Sequence, residues 1–258
     1  MSAWNALLWG ALASSSLFIG NALLWGALAS SSLFIGHALT GPLAGNRKAV
    51  GLLMGFGAGT LVSAVGYQLV PQASFEHGIG VGISFALGAL TYYVADRTVD
   101  GQGGEDRQDL DVQAGTGSPW AMFIGALLDG IPESFVLGIT LALGGTINVA
   151  FLAAVFVSNI PQGVAGTTSL LAAGSTSRRV LLGWTILTAA SALMAAAGFL
   201  LADNVRHEGI WAEAFAGGAV LTMLADSMMP EAFQHGGRAV GLVTVLGYLV
   251  AAALAVAQ

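Results

Sequence analysis

The 258-residue chain contains no cysteine and few charged side chains. The absence of cysteine excludes disulfides and metal sites built on thiolates. Only 9% of the residues are charged, against about 25% in a typical soluble domain. The N-terminus lacks the basic segment of a secretory signal, so no such signal is expected. With a formal net charge of −6, nothing in the composition points to nucleic acid as a partner.

Apolar sequence takes the place of charge, since 55% of the residues are hydrophobic. Runs of about 18 or more apolar residues, each long enough to cross a bilayer, recur along the chain. They predict an all-α, polytopic membrane helix bundle of eight transmembrane helices. The first is expected after residue 20, and the others at about 47–71, 78–97, 118–143, 147–172, 179–202, 210–233 and 238–257.

An identical tandem repeat lies at the start of the chain, where residues 5–20 (NALLWGALASSSLFIG) recur as residues 21–36. The two copies present different faces, because a shift of sixteen residues at about 100° each turns the second copy by roughly 160°. A continuous helix over both copies would be about 50 Å long, beyond a hydrocarbon core of about 30 Å. We therefore predict that residues 1–20 are an N-terminal extension, bent near Gly20–Asn21 or lying in the interface. Residues 21–258 would form the transmembrane domain.

The placement of Lys and Arg predicts the orientation of the chain. With the N-terminus outside, only Arg206 lies outside. The other seven basic residues then fall on the cytoplasmic side: Arg47, Lys48, Arg97, Arg107, Arg178, Arg179 and Arg238. We therefore expect a multi-pass protein of the plasma or inner membrane with both termini outside. The stretch at about 99–118, rich in Gly, Asp and Gln, is predicted to be a flexible, disordered cytoplasmic loop. It contains no His, so no metal-collecting role is expected for it.

Two related hexapeptides within the apolar sequence form the candidate functional site: DGIPES at 129–134 and SNIPQG at 158–163. A proline inside a helix frees the carbonyl four residues before it. In lipid such a carbonyl is tolerated only where protein or a water-filled cavity satisfies it. Asp129 and Glu133 also share one helical face, and ionisable residues at membrane depth are usually functional. A weaker pair of similar segments, 68–73 and 227–232, is typical of the inverted repeats of secondary transporters.

Convergence of the two proline-broken turns would create a site made only of oxygen ligands. Hard cations such as Mg, Ca and Mn suit such ligands. The alternative is that these polar side chains only hold helices together, through bonds worth about 1 kcal/mol. The candidate ligands are Asp129, Glu133, Ser158, Asn159 and Gln162, with Asp226 as an auxiliary ligand on the release path.

At these motifs the chain resembles the ZIP (Zrt/Irt-like) family of metal transporters. The fourth helix of that family typically carries H-N-x-P-E-G, which Pro132 and Glu133 match, while Asp129 stands in the position of the His. The fifth helix carries H/Q-[DE]-x-P-[EH]-G; here Pro161 matches, and Gln162 replaces Glu or His.

Later motifs of the family are matched in part. The seventh-helix phrase ending in P-E-A/T is represented by Pro230-Glu231-Ala232. The sixth-helix phrase S-x-L-M-E is represented by Ser191-Ala-Leu-Met194, but Ala195 follows in place of the Glu. The chain therefore resembles a divergent member of bacterial or archaeal type with degenerate metal-site motifs.

The resemblance implies an eight-helix bundle in a 3+2+3 arrangement with inverted repeats, in the lipid bilayer and often dimeric. It also implies uptake of divalent metal towards the cytoplasm, with the metal as substrate and without a cofactor; Zn, Fe and Mn are the ions expected first. Most bridging charge of a two-metal site is missing, so we expect a single oxygen-rich site between helices four and five. The replacing residues are Gly130, Asn159, Gln162 and Ala195.

Two other functions stay open. A protein of this fold that has lost metal transport could move another small solute or act as a sensor. An intramembrane aspartyl hydrolase could use Asp129 and Asp226 as paired carboxylates. However, the Tyr-Asp and Gly-x-Gly-Asp motifs of such enzymes do not surround these residues, and no enzymatic activity is expected.

Overall fold

The computed structural model describes residues 3–43, 45–69, 78–111, 117–144, 147–204 and 209–257. These ranges contain helices and no strand. The α-helices of this part of the chain are α1 (Ala3–Leu43), α2 (Arg47–Ala64), α3 (Ile79–Val99), α4 (Pro119–Gly144), α5 (Val149–Ala172), α6 (Ser177–Asn204), α7 (Gly209–Met223), α8 (Met229–Gly236) and α9 (Ala239–Val256).

Seven helical stretches of the described chain are long and apolar enough to cross a membrane. The chain is therefore a polytopic helical membrane bundle, which confirms the prediction from composition. The stretch predicted at 210–233 is also helical, as α7, a π-helical turn at Leu224–Met228 and α8, but it is not among these seven. The seven are Leu17–Leu43, Arg47–Leu69, Ile79–Gln108, Pro119–Leu143, Val149–Ala172, Ser177–Ala202 and Ala239–Val256.

Helix α1 covers both copies of the tandem repeat and is not interrupted at Gly20–Asn21, where a bend is predicted. The repeat is rich in Ala and Leu, the strongest helix formers, and the junction contains no proline that would end the helix. The apolar stretch Leu17–Leu43 of α1, which is long enough to cross a membrane, includes the whole second copy. That residues 1–20 act as an extension stays a prediction.

Close backbone contacts join the helices in four pairs: α1 with α5, α2 with α9, α3 with α7, and α4 with α6. In each pair a glycine of one helix lies against the backbone of the other, and the reverse also holds. Small residues allow such close approach, which is how helices associate without a hydrophobic driving force. The paired glycines are Gly36 and Gly163, Gly59 and Gly247, Gly88 and Gly218, and Gly138 and Gly198.

The stretch predicted to be a disordered loop is helical in its first part. Helix α3 continues through a π-helical turn, Asp100–Gly104, and a 3-10 turn, Glu105–Gln108. The side chain of Arg107 is only 3% exposed, and Gln108 is also buried. The carboxylates that gather around Arg107 order this segment, which composition alone predicts to be flexible. Residues 112–116 lie outside the described part of the chain.

The contact between α4 and α6 generates a prediction about stability. A Cβ at Gly138 would overlap the carbonyl of Ala195, so Gly138→Ala forces the two helices apart and is expected to cost about 1–3 kcal/mol. The measurement is the thermal unfolding midpoint of the purified protein in detergent. Gly82→Ala, at a helical glycine with open space around the added Cβ, should leave the midpoint unchanged or raise it, because Ala is the better helix former. Equal midpoints for the two variants would contradict the predicted clash.

Candidate cation site

Helix α4 places both predicted carboxylates inside the bundle. Asp129 is 2% exposed and Glu133 is 1% exposed. The helix continues through Pro132, as α5 continues through Pro161, so the predicted breaks do not interrupt either helix. Each proline still removes a backbone donor, which leaves the carbonyl four residues earlier without its usual helical partner.

The carboxylate of Asp129 is held by three side chains from elsewhere in the chain. Arg107 binds both oxygens of this carboxylate: its Nε donates to Oδ2 at 3.0 Å, and a terminal nitrogen donates to Oδ1 at 3.2 Å. Gln108 Nε2 donates to Oδ2 at 2.9 Å, and the Tyr92 hydroxyl donates to Oδ1. Such a two-pronged contact between arginine and a carboxylate is among the stronger ionic hydrogen bonds. The predicted ligand with the most partners is therefore already saturated by the protein.

Arg107 also contacts two carboxylates of α3 and its extension. One terminal nitrogen bonds Asp96, and the other bonds Asp100 at 3.0 Å. A further bond, of 2.7 Å, joins the guanidinium to the Ser227 hydroxyl in the π-helical turn between α7 and α8. One positive charge is thus shared among three carboxylates, counting Asp129. The group retains an excess of negative charge.

Glu133 differs sharply from Asp129, although it lies one helical turn away on the same face. Neither of its carboxylate oxygens has a hydrogen-bond partner among the described residues. A buried polar group without a partner is costly and rare in proteins. Glu133 is therefore the carboxyl group of this site whose bonding is incomplete, and Gln108 Oε1 is a second buried oxygen there without a partner in the described chain.

The predicted ligands on α5 already use their donors, Ser158 within its own helix and Asn159 and Gln162 towards other elements. The Ser158 hydroxyl donates to the Val155 carbonyl one turn back at 2.9 Å, and Asn159 Nδ2 donates to the Ala29 carbonyl of α1 at 3.3 Å. Gln162 Nε2 lies 3.9 Å from the sulfur of Met228. These contacts use donors of the three side chains, and their oxygens are the atoms that would serve a cation.

A small cavity of about 20 Å³ between α1, α4, α5 and α6 brings part of the predicted site together. Three predicted ligands, Asp129, Asn159 and Gln162, line it together with Arg107 and Gln108. The volume suffices for about one water molecule. Glu133 and Ser158 are buried near these residues on the same helices but are not among those lining the cavity.

Asp226 does not join this group. It is predicted to face the interior, but it is exposed and lines a separate pocket of about 250 Å³ with Asp96 and Asp100. The buried face of this stretch runs through Leu224 and Met228, and Asp226, midway between them, lies on the opposite, exposed face. The structure therefore places Asp226 beside the carboxylates that bind Arg107, at the mouth of the site.

Sequence reasoning missed the partners of Asp129. Tyr92, Asp96 and Asp100 follow one another at four-residue spacing, which puts them along one helical face. That spacing is a usable signal, because acidic residues repeated on one face near the end of a membrane span are uncommon. Arg107 and Gln108 gave no comparable signal, since they stand in sequence typical of a loop.

A second group of possible metal ligands lies farther along the same segment. Donor atoms of Asp109, Asp111 and His235 lie within 4.8 Å of one another. Glu231 approaches His235 at 3.1 Å, and Arg47 forms an ion pair with Asp111. The prediction that this loop lacks a metal-collecting role rested on the absence of His from the loop itself. In the folded chain, α8 brings His235 next to Asp109 and Asp111.

Comparison with known proteins gives one distant relative and no family model. Over 191 residues, or 72% of this chain, the sequence is 27% identical to a protein of Arabidopsis thaliana named "putative zinc transporter". The chain spans about 30% of the length of that relative. No family model matches the chain.

The ionic contact between Arg107 and Asp129 predicts strong coupling between the two residues. Arg107→Gln is expected to lower the free energy of unfolding by about 3–5 kcal/mol, because it leaves buried carboxylates without their counter-charge. Combined with Asp129→Asn, the loss should be smaller than the sum of the two single losses by at least about 1 kcal/mol. Denaturant unfolding of the purified protein in detergent measures each value.

The control for this cycle is Arg238→Gln, at an exposed arginine. Its effect should add to that of Asp129→Asn within about 0.5 kcal/mol, as expected for separate sites. Additive effects of Arg107→Gln and Asp129→Asn would show that the two side chains do not act as a pair.

Proposed function

We propose that the protein transports divalent metal ions across the membrane towards the cytoplasm, as a ZIP-like transporter without a cofactor. The observation that carries this proposal is Glu133, a buried carboxylate whose two oxygens lack hydrogen-bond partners in the described chain. A transported cation would complete its bonding, and Asp129 one turn away supplies a second anionic ligand. The Arabidopsis relative named as a zinc transporter supports the same function.

The proposed site lies between the fourth and fifth helices, and one ion is the most that it would hold. Asp129 and Glu133 contribute the negative charge, and Ser158, Asn159 and Gln162 contribute neutral oxygens. This donor set contains no imidazole and no thiolate, so it suits Mn, Mg and Ca as well as the Zn and Fe that the resemblance implies. The ion would be substrate, and its dehydration would be compensated by these oxygens.

The release path would run past Asp226. With both termini outside, the C-terminal end of α3 and the N-terminal end of α4 lie on the cytoplasmic side. The pocket lined by Asp96, Asp100 and Asp226 then opens towards the cytoplasm. Its carboxylates would attract an ion that leaves the central site, and a movement of one helix group against the other would expose that site alternately to each side.

The proposed architecture is the eight-helix, 3+2+3 arrangement with inverted repeats, in which α7, the π-helical turn and α8 together form the seventh span and α9 forms the eighth. The four glycine-joined helix pairs support a closely packed bundle of this kind. Of the segment pair 68–73 and 227–232, residues 70–73 lie outside the described chain. In a homodimer the contact would involve α3 or α9, the least buried of the seven apolar stretches.

One observation favours the second candidate function, a solute transporter or sensor that has lost metal transport. Asp129 is already neutralised by Arg107, as expected of a site that no longer receives metal. Two other expectations, a plasma- or inner-membrane location and the absence of enzymatic activity, stay predictions.

Uptake by the full chain reconstituted in liposomes tests the proposed function. Zn, Fe, Mn, Cd, Mg and Ca are offered in turn to wild type and Glu133→Gln. We expect uptake of at least one of these ions, and a loss of about tenfold or more in the variant, because an amide lacks the charge that binds the ion. Absence of uptake of all six ions by correctly inserted wild type and also by Arg107→Gln would favour the solute or sensor function.

The matched control is Glu213→Gln, which also removes a buried membrane carboxyl group. Glu213 lies one turn after Gly209, which contacts Leu143 near the end of α4, and Leu143 is about 15 Å along that helix from Glu133. Uptake should therefore persist in Glu213→Gln. An equal loss in both variants would mean that any buried carboxyl group is needed for folding and would remove the support for a site at Glu133.

A further inference from the structure

Arg107 occupies the position at Asp129 that a transported cation would need. The guanidinium comes from the same chain, through the segment Asp100–Asp111, which we call the plug. We propose that the plug is an autoinhibitory device whose guanidinium competes with the transported metal ion for Asp129. This inference rests on the proposed transport function and adds to it a regulated state of the same site.

The bonding of Arg107 explains why the described state excludes an ion. Two nitrogens of the guanidinium take one oxygen each of Asp129, and Gln108 and Tyr92 add donors to the same carboxylate. The adjoining cavity of about 20 Å³ accommodates one water molecule but not a hydrated metal ion. Binding therefore requires Arg107 to leave.

The charges permit such an exchange. Arg107 carries one positive charge and contacts Asp96, Asp100 and Asp129. These three carboxylates together outweigh it, and the unpartnered Glu133 adds further negative charge if ionised. A divalent cation brings one more positive charge than the guanidinium into the same low-dielectric surroundings, where charge interactions are strong. Replacement of arginine by metal thus improves the balance of charge.

The backbone of the plug is suited to movement. Its first part contains Gly101, Gly103 and Gly104, and Gly103 has a φ of 93°. Glycine adopts this conformation without strain and also leaves it readily. Because the three glycines lie between α3 and Arg107, the arginine can swing away without unwinding the membrane-spanning part of α3.

The far end of the plug is held on the opposite side of Arg107. The Ser169 hydroxyl of α5 donates to the Asp109 carbonyl at 2.7 Å, and Arg47 pairs with Asp111 where both side chains are exposed. Exposed ion pairs contribute little to stability. The buried guanidinium is therefore the charged contact that holds the plug at Asp129, beside the bond from Gln108 and the buried side chain of Leu110.

Zinc and manganese uptake by the full chain in liposomes tests the plug. When a competing state is populated nine-tenths of the time, the apparent affinity falls about tenfold. We therefore expect Arg107→Gln to lower the KM for the metal by about tenfold. Arg107→Lys keeps the positive charge but loses the planar group that bonds both oxygens of Asp129, so it should lower the KM less. Arg238→Gln, at an exposed arginine outside the site, should leave the KM unchanged.

The outcomes separate this inference from the proposed function. If wild type and Arg107→Gln transport metal with the same KM, the proposed autoinhibition by the plug is wrong and the transport function stands. If neither variant transports any of the metals, both ideas fail. If wild type is inactive and Arg107→Gln transports metal, the plug is supported in its strongest form.

A second measurement avoids the risk that Arg107→Gln fails to fold. The chain has no cysteine, so Arg47→Cys combined with Asp111→Cys introduces the only thiols, at two exposed positions whose side chains form an ion pair. A short bifunctional methanethiosulfonate reagent that joins the two thiols should fix the plug and stop metal uptake, and reduction should release the reagent and restore uptake. Uptake that is equal in the joined and the reduced protein would overturn the inference, once mass spectrometry has shown that the cross-link has formed.

Discussion

The high free-energy cost of carboxylates in a low-dielectric interior constrains the whole centre of this protein. Asp96 and Asp129 are buried among apolar helices, and Arg107 stabilises both carboxylates there by contacting each of them. Arginine suits this task, since its planar group bonds several oxygens at once and stays charged. Two segments that the sequence separates, the end of α3 and the middle of α4, are thereby joined. The order of the segment after α3 follows from this ionic contact and not from its own helix propensity.

The surroundings of this ionic group are built differently, from helices in backbone contact. Reciprocal glycines join α4 to α6 and α1 to α5, and Gly26 of α1 lies against the backbone of α6 at Ser191. The two helices that carry the predicted ligands, α4 and α5, are thus linked through α1 and α6. A shift that changes the distance between Asp129 and Asn159 must therefore alter the contact between α1 and α6.

Much of the fold can be predicted from composition, because a run of apolar residues of sufficient length has few alternatives to a membrane helix. The hexapeptides likewise identify Asp129 and Glu133, which the structure buries on one face of α4. The contacts of Arg107 could not be predicted, since they join residues far apart in sequence and lie in a segment with the composition of a loop. Asp226 illustrates another limit: its position one turn before Pro230 suggested an inward side chain, but the buried face runs through Leu224 and Met228, which leaves Asp226 and Pro230 on the exposed face.

The length of α1 has a consequence for the membrane around the protein. Its 41 residues correspond to about 60 Å of helix, roughly twice the thickness of a hydrocarbon core. Hydrophobic mismatch of this size is relieved by tilting, by local thickening of the bilayer or by burial of the overhang against another apolar surface. Because α1 also contacts the site helix α5, through Gly36 and Gly163, bilayer thickness would act on α5 through α1. A membrane of different lipid composition, and hence of different thickness, would change the tilt of α1 and through it the position of α5.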